Sequence, residues 1–327
     1  MIKFFRQSYA IQYVVIALMA FALWIPAFVS GRMTTGLTSP VTPIYGLIDH
    51  LLSYSTILQH GVAFLFLALE AIVFNVILVE NQIVGKVSLM GVFVYVLLMS
   101  FTETQTNFYP FLLSAFFILL VIRNMFGAFQ LPKPELNLVR VGAFLALSSM
   151  CYFPSIVLIV WVMIVLPMAK NGSLRLQLIP LFGFLFVYFV YFVGVFLVGE
   201  FKVLMQSYLE YFTSFHFSVE GFNLKNIILL SVLFASTFFL MFGGNTASFE
   251  KSVSVRSKIS MVYVMALFAL LLLFVGGNIL MNGLVFMVLA ILVSYAFSNI
   301  NNTSWANLFL FFFLVLVFAN HYYFKFI

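Results

Sequence analysis

The feature that most constrains this chain is an uncharged stretch of about 28 residues, from Val141 to Met168, with a proline near its middle. One upright helical crossing of a membrane takes roughly 20 residues, so the stretch is too long for one crossing and too short for two full ones. Pro154 lacks the N–H that an uninterrupted helix needs, and it biases Phe153 away from helical backbone angles. We therefore predict a helix break near Cys151, followed either by a continued crossing or by a hairpin.

The rest of the chain is equally apolar. Of its 327 residues, 65% are hydrophobic and 7% are charged, whereas a soluble domain carries roughly 25% charged residues. The apolar runs are continuous and recur along the whole length, which indicates membrane-spanning helices. We predict an all-α, polytopic transmembrane helix bundle, with residues 1–327 forming a single integral membrane domain.

Nine further crossings and two surface helices follow from the hydropathy pattern, which makes about 10–11 membrane segments when the broken stretch is included. The predicted crossings are residues 11–29, 61–78, 87–101, 108–126, 176–198, 226–242, 260–275, 280–297 and 307–322. Two stretches, 44–55 and 201–215, instead have apolar residues along one helical face, which is typical of helices that lie on a membrane surface.

The basic residues favour the hairpin at 141–168 over a single crossing. With a hairpin, the 15 basic residues divide into about 11 in inner loops and 4 in outer loops; with a single crossing the division is about 8 to 7. Lys and Arg are enriched in cytoplasmic loops. The sequence therefore predicts the hairpin, with the N-terminus in the cytoplasm.

Polar residues at the predicted outer face suggest an active site there. Asp49 and Glu103 are candidate catalytic carboxylates, and His50 lies beside Asp49. Arg32 and Lys202 adjoin the amphipathic stretches, where a cation can meet a phosphate at headgroup depth. The alternative is that acidic residues populate outer loops because basic residues are excluded from them, and that Arg32 and Lys202 only anchor the chain to headgroups.

Glu70 is the only ionisable residue near the middle of a predicted crossing. A charge is costly in hydrocarbon, so an intramembrane acid is a functional-site hypothesis, and it is expected to face the bundle interior. The alternative is a structural carboxyl hydrogen-bonded to a polar neighbour such as Asn75 or Asn124.

The sequence lacks the motifs of several other function classes. It contains no phosphate-binding P-loop, no dinucleotide fingerprint and no G-x-S-x-G elbow. The four histidines match no metal-ligand spacing, and Cys151 is the single cysteine, so we predict no metal site and leave cofactors undetermined. The net charge of +6 is scattered over short loops, which argues against a nucleic-acid partner.

Two segments, FNVILVENQIVGKVSLMGVFVYVLLMSF and LSSMCYFPSIVLIVWVMIVLPM, together with the start MIKFFRQSYAIQYVVI, resemble an uncharacterised family of bacterial polytopic inner-membrane proteins. Some members carry the label beta-carotene monooxygenase. That label implies a β-propeller with four iron-binding histidines, which continuous apolar helices cannot build. The resemblance implies a multi-pass protein of the bacterial inner membrane.

The layout is also similar to C-fold membrane glycosyltransferases, which use polyprenyl-phosphate sugars. In that family, the first outer loop carries a surface helix and an acidic residue that serves as catalytic base or metal ligand. The resemblance places Asp49 in that role, with Glu103 as a second carboxylate and membrane lipids, including polyprenyl phosphate, as partners.

Three functions follow as hypotheses. The first is a glycosyltransferase-like or polymerase-like enzyme acting on a lipid-linked substrate at the outer face, with Asp49, Glu103, Arg32, Lys202 and His50 at its site. The second is a transporter or lipid flippase that works through Glu70 and the broken stretch. The third is a non-catalytic subunit of an envelope complex, with other membrane proteins as partners.

Overall fold

A computed structural model gives the fold. It describes residues 2–7, 9–30, 41–102, 105–131, 133–168, 173–213, 224–243, 253–275, 283–300 and 303–322. The helices are α1 (Ile2–Phe5), α2 (Ala10–Ser30), α3 (Pro43–Leu52), α4 (Thr56–Glu80), α5 (Met90–Met99), α6 (Pro110–Ala128), α7 (Glu135–Cys151), α8 (Leu158–Val165), α9 (Leu174–Val198), α10 (Phe201–Thr213), α11 (Leu224–Gly243), α12 (Val253–Val275), α13 (Leu284–Asn299) and α14 (Thr303–Tyr322).

The predicted all-α bundle is confirmed, and within the described ranges no strand occurs. Among the described residues, six helices are long and apolar enough to cross a membrane: α2, α4, α6, α9, α12 and α14. Three shorter apolar segments, which contain α5, α8 and α13, pack among them. The chain is therefore a multi-pass integral membrane protein.

Several helices differ in length from the predicted crossings. Helix α7 begins at Glu135 rather than at residue 141. Helix α12 begins at Val253 rather than at residue 260. In both cases the added turns carry charged residues, so hydropathy alone places the start too late. The shorter helices α5 and α13 are buried along almost their whole length and form the centre of the bundle.

The predicted break is present in the stretch from Val141 to Met168. Helix α7 ends at Cys151, Tyr152 has extended backbone angles, and a short 3₁₀ turn from Phe153 to Val157 leads into α8. Pro154 is the second residue of that turn, where its missing N–H costs no helical hydrogen bond. A second 3₁₀ turn, Leu166–Met168, ends the segment.

The contacts on either side of the break show that the segment is a hairpin. Leu138, near the start of α7, and Leu176, near the start of α9, line one cavity. At the other end of α7, the Ser149 and Tyr188 hydroxyls are 2.8 Å apart. Helices α7 and α9 therefore run parallel. The chain between them must return, and Leu166 and Met168 lie back beside Leu138 in the same cavity.

Helices α7 and α9 cross in close contact at Gly142. A Cβ atom placed there would overlap the carbonyl oxygen of Pro180 and lie 2.7 Å from the backbone nitrogen of Phe184. Small residues let helix backbones approach in this way in membranes, where van der Waals packing rather than the hydrophobic effect holds helices together. The crossing ties the outgoing arm of the hairpin to the next long helix.

The hairpin sorts the basic residues toward one end of the bundle, which we call the basic end. There Arg6 donates to the carbonyls of Phe297 and Ile300, and Arg123 forms an ion pair with Glu80. The same end holds the side chains or loops of Lys86, Lys133, Arg140, Arg175, Arg256 and Lys258. Among the described side chains, Lys202 is the basic residue at the opposite end.

Both amphipathic stretches form helices, but they turn different faces toward the protein. In α3, Leu47 and Leu51 are 69% and 68% exposed, whereas Asp49 is 9% exposed. Its apolar face is therefore free to meet lipid, and Asp49 points inward. In α10, Tyr208 and Phe212 pack against Phe153 at the hairpin turn, and Lys202 is exposed.

We expect Gly142→Ala to lower the stability of the protein, by about 1–3 kcal/mol, because its Cβ meets fixed backbone atoms rather than a movable side chain. The measurement is the thermal unfolding midpoint in detergent. The matched control is Gly194→Ala in α9, where a Cβ meets nothing within 4 Å; the better helix propensity of Ala leaves that variant unchanged or slightly more stable. Equal midpoints for Gly142→Ala and the wild type would contradict the close crossing.

Candidate functional site

Glu70 lies in the interior of the bundle, as an intramembrane acid is expected to. Its side chain is fully buried near the middle of α4, and Oε2 accepts a hydrogen bond of 2.9 Å from the Tyr95 hydroxyl on α5. Phe74, one turn along α4, packs on the Tyr95 ring with centroids 4.7 Å apart. The i, i+4 pair Glu70 and Phe74 thus holds Tyr95 in place.

Tyr95 takes the role that the sequence suggested for Asn75 or Asn124. Asn75 instead packs against α5 at Gly91, and its Oδ1 atom is buried without a partner among the described residues. Asn124 donates to the carbonyl of Leu120 within its own helix. The proposed pairing of Glu70 with either asparagine is therefore wrong.

Two further tyrosines continue the polar line from Glu70 toward the helix break. Tyr109 lies close enough to Glu70 and to Tyr152 to interact electrostatically with both. The ring of Phe111 contacts each of these tyrosines, with centroids 6.3 Å from Tyr109 and 5.8 Å from Tyr152. Both tyrosines are almost completely buried, so the line runs through the interior of the bundle.

Three atoms along this line lack hydrogen-bond partners in the part of the chain that the structure describes. They are Oε1 of Glu70 and the hydroxyl oxygens of Tyr109 and Tyr152. Leaving a buried polar group unpaired costs about 1–3 kcal/mol. Three such atoms in one region make it a candidate site for water, a cation or a polar solute.

Serine hydroxyls hold the break at the end of this line. Ser114 on α6 lies 2.7 Å from Ser148, before the break, and 2.9 Å from Ser155, after it. Side-chain hydroxyls commonly satisfy polar groups where a helix is interrupted inside a membrane protein. The serine trio fixes both halves of the hairpin to α6 beside Tyr152.

The predicted catalytic carboxylate Asp49 lies at the end of the bundle opposite the basic end. Its Oδ1 accepts a 3.1 Å hydrogen bond from Gln59 on α4. Burial raises the pKa of the Asp49 carboxyl, while hydrogen bonds from Gln59 and Tyr45 lower it, and the net change is upward. Nearby on α4, His60 bonds to Asn107 with a distance of 2.8 Å. Asp49 thus holds α3 against α4.

The other residues predicted for an outer-face enzyme site are not brought together in the described part of the chain. His50 is exposed at the end of α3, on a different side of the helix from Asp49, and Lys202 is exposed on α10. Among the described residues, no hydrogen bond or ion pair joins Asp49, His50 and Lys202. Arg32 and Glu103 lie outside the described residues.

Within the described ranges, no group of three His, Cys, Asp or Glu side chains is close enough together to hold an ion.

Sequence reasoning missed Tyr95, Tyr109 and Tyr152. Their positions in the sequence could have indicated them, because each places a hydroxyl group in or beside a strongly apolar segment, and Tyr152 directly precedes the break.

Comparison with known proteins found no matching family model, no matching curated protein and no matching solved structure. The resemblance of the sequence to a bacterial inner-membrane family therefore stays a prediction.

The raised pKa of Asp49 predicts a pH-dependent stability. The folded protein binds a proton that the unfolded chain releases above about pH 4, the ordinary range of an aspartate. The free energy of unfolding therefore decreases as the pH rises from there through the folded-state pKa. We expect Asp49→Asn to flatten this decrease in thermal unfolding measured in detergent between about pH 4 and 8.

The matched control is Glu210→Gln, which neutralises an exposed acid on α10 and should keep the wild-type slope. If Asp49→Asn unfolds with the same pH slope as the wild type, burial of this carboxyl does not govern the dependence.

Proposed function

We propose that this protein is a transporter or lipid flippase of the bacterial inner membrane, in which the Glu70 carboxyl exchanges a proton during the transport cycle. A proton is the simplest partner for this group, because an ionised carboxylate surrounded by hydrocarbon is costly. The moved species is a polar or amphiphilic molecule whose polar group reaches the tyrosine hydroxyls.

The observation that carries the proposal is the set of unpaired buried oxygens around Glu70. A purely structural glutamate would have both carboxylate oxygens paired, as buried polar groups generally are. Within the described residues, Tyr95 bonds to one oxygen, and no partner is found for the second oxygen or for the neighbouring hydroxyls of Tyr109 and Tyr152. This arrangement is suited to a group that gains and loses a partner.

The position of the break supports the same function. Transport sites are commonly built where membrane helices are discontinuous. Tyr152 belongs both to the break and to the polar line that leads to Glu70. Movement of the α8 arm would therefore reach the Glu70 carboxyl through Tyr152 and Tyr109.

The orientation follows from the basic end. Cytoplasmic loops carry the excess of Lys and Arg in inner-membrane proteins, and Arg6, Lys133 and Arg175 all lie at that end. We infer that the basic end and the N-terminus are cytoplasmic and that α3 and α10 lie at the outer face.

A second candidate function, an enzyme acting on a polyprenyl-phosphate-linked substrate, rests on Asp49. That carboxyl lies at the proposed outer face on α3, whose exposed Leu47 and Leu51 would meet lipid. A lipid-linked substrate would thus arrive beside an acid that can accept a proton. A glycosyltransferase-like reaction is the class that this placement fits.

Glu70→Gln tests the proposed function. Glutamine has the shape of glutamate and can still accept from Tyr95, but it cannot exchange a proton. Proteoliposomes with an imposed pH gradient are mixed with an aqueous metabolite extract and with fluorescent phospholipids. Retained solutes are measured by mass spectrometry and lipid movement by quenching. We expect gradient-dependent accumulation with the wild type and a loss of about tenfold or more with Glu70→Gln, the size of many proton-transfer defects.

Asp49→Asn is the matched control, because it neutralises the other buried acid. Activity retained by Asp49→Asn and lost by Glu70→Gln supports transport through Glu70. Sugar transfer from a polyprenyl-phosphate donor that is lost in Asp49→Asn and retained in Glu70→Gln would favour the enzyme. Full tolerance of both substitutions would contradict both functions and point to a non-catalytic subunit.

A further inference from the structure

A polar cavity of about 490 Å³ opens at the basic end, away from Glu70. It lies where α4 and α6 end and α7 begins. Its lining combines charged, amide and apolar side chains, which include Glu80, Leu120, Arg123, Asn137, Arg140 and Phe144. Glu80 is ten residues beyond Glu70 on α4, a distance of about 15 Å along the helix, so the cavity is separate from the proposed transport site.

The charges of the cavity leave one guanidinium available. Arg123 makes two hydrogen bonds, 2.9 and 3.1 Å long, to the Glu80 carboxylate. The charges of these two side chains therefore neutralise each other. Arg140 is exposed on α7 and forms no ion pair or hydrogen bond within the described residues. Two arginines and one glutamate give the cavity a net positive charge, so it attracts an anion.

Amide groups add neutral donors beside Arg140. The side-chain nitrogen of Asn137 lies against α6 at Gly127, where a Cβ atom would come within 2.9 Å of it. The glycine therefore makes room for this amide in the cavity. Guanidinium and amide N–H groups together are the donors that bind phosphate oxygens well.

The lining changes from polar to apolar with depth. Leu120 lies three residues, about 4.5 Å, deeper along α6 than Arg123, and Phe144 lies four residues, about 6 Å, deeper along α7 than Arg140. Beside Arg140, Val139 is exposed to the surroundings of the bundle. This order of donors at the end and apolar surface toward the membrane centre matches the order of groups in a phospholipid.

We propose that this cavity binds the headgroup of an anionic glycerophospholipid from the leaflet at the basic end. The lipid phosphate contacts Arg140 and the Asn137 amide, and Arg123 shares its charge between Glu80 and the phosphate. One acyl chain lies along Leu120 and Phe144. The apolar inner wall favours a lipid over a free phosphate ion, and basic pockets between membrane helices are known headgroup sites.

Native mass spectrometry of the detergent-purified full chain tests the proposal. The probes are phosphatidylglycerol and phosphatidylcholine with the same acyl chains. The wild type should retain phosphatidylglycerol in preference, and Arg140→Gln should reduce that preference about tenfold. The matched control is Arg175→Gln, an exposed arginine at the same end but outside the cavity, which should bind like the wild type. Arg140→Lys should lie between, because it keeps the charge but not the two-pronged geometry.

Two results would overturn the proposal. An equal loss in Arg140→Gln and Arg175→Gln, or no preference in the wild type, would mean that the basic end attracts anionic lipids only in general. Displacement of phosphatidylglycerol by millimolar inorganic phosphate would mean that the cavity takes free phosphate instead. Because Arg140 is exposed, loss of folding is not expected, and unchanged unfolding midpoints for all variants verify this.

Discussion

The constraint on which this structure depends is that hydrocarbon offers no hydrogen bonds to a polar group. A polar side chain in the bundle is therefore required to find a partner inside the protein or in a bound molecule, and leaving it unpaired costs free energy. The serine trio at the hairpin turn meets this requirement, because Ser114 pairs with both Ser148 and Ser155. Glu70 meets it with one oxygen only, through Tyr95.

The hairpin has the same physical basis. A non-spanning segment is tolerated in a membrane only when neighbouring helices cover it, and here α6, α9, α10 and α12 pack around it. The close crossing at Gly142 fixes α9 parallel to α7, which places every later helix and collects the basic side chains at one end. The broken segment thereby sets both the topology and the surroundings of the polar line.

The sequence was sufficient for what hydropathy and charge report directly: the apolar helices, the break at Pro154 and the grouping of the basic residues. It was insufficient to predict which way individual side chains point within the bundle. Helix α5 is apolar on all sides, so no pattern shows that Tyr95 points at a residue 25 positions earlier. Likewise, the amphipathic pattern of α3 places Asp49 and His50 together, but packing on α4 buries only Asp49. The start of α7 could not be predicted from hydropathy, because its first turns contain Glu135 and Arg140.

The proposed transport cycle requires Glu70 to carry an exchangeable proton inside the bundle. Infrared difference spectroscopy of the reconstituted protein at neutral pH tests it most directly, by comparing the wild type with Glu70→Gln in H₂O and D₂O. We expect a protonated-carboxyl C=O band in the wild type that is missing in Glu70→Gln and shifts on transfer to D₂O. If the two proteins differ only in ionised-carboxylate bands, or if the band does not shift in D₂O, Glu70 is not a proton-exchanging group.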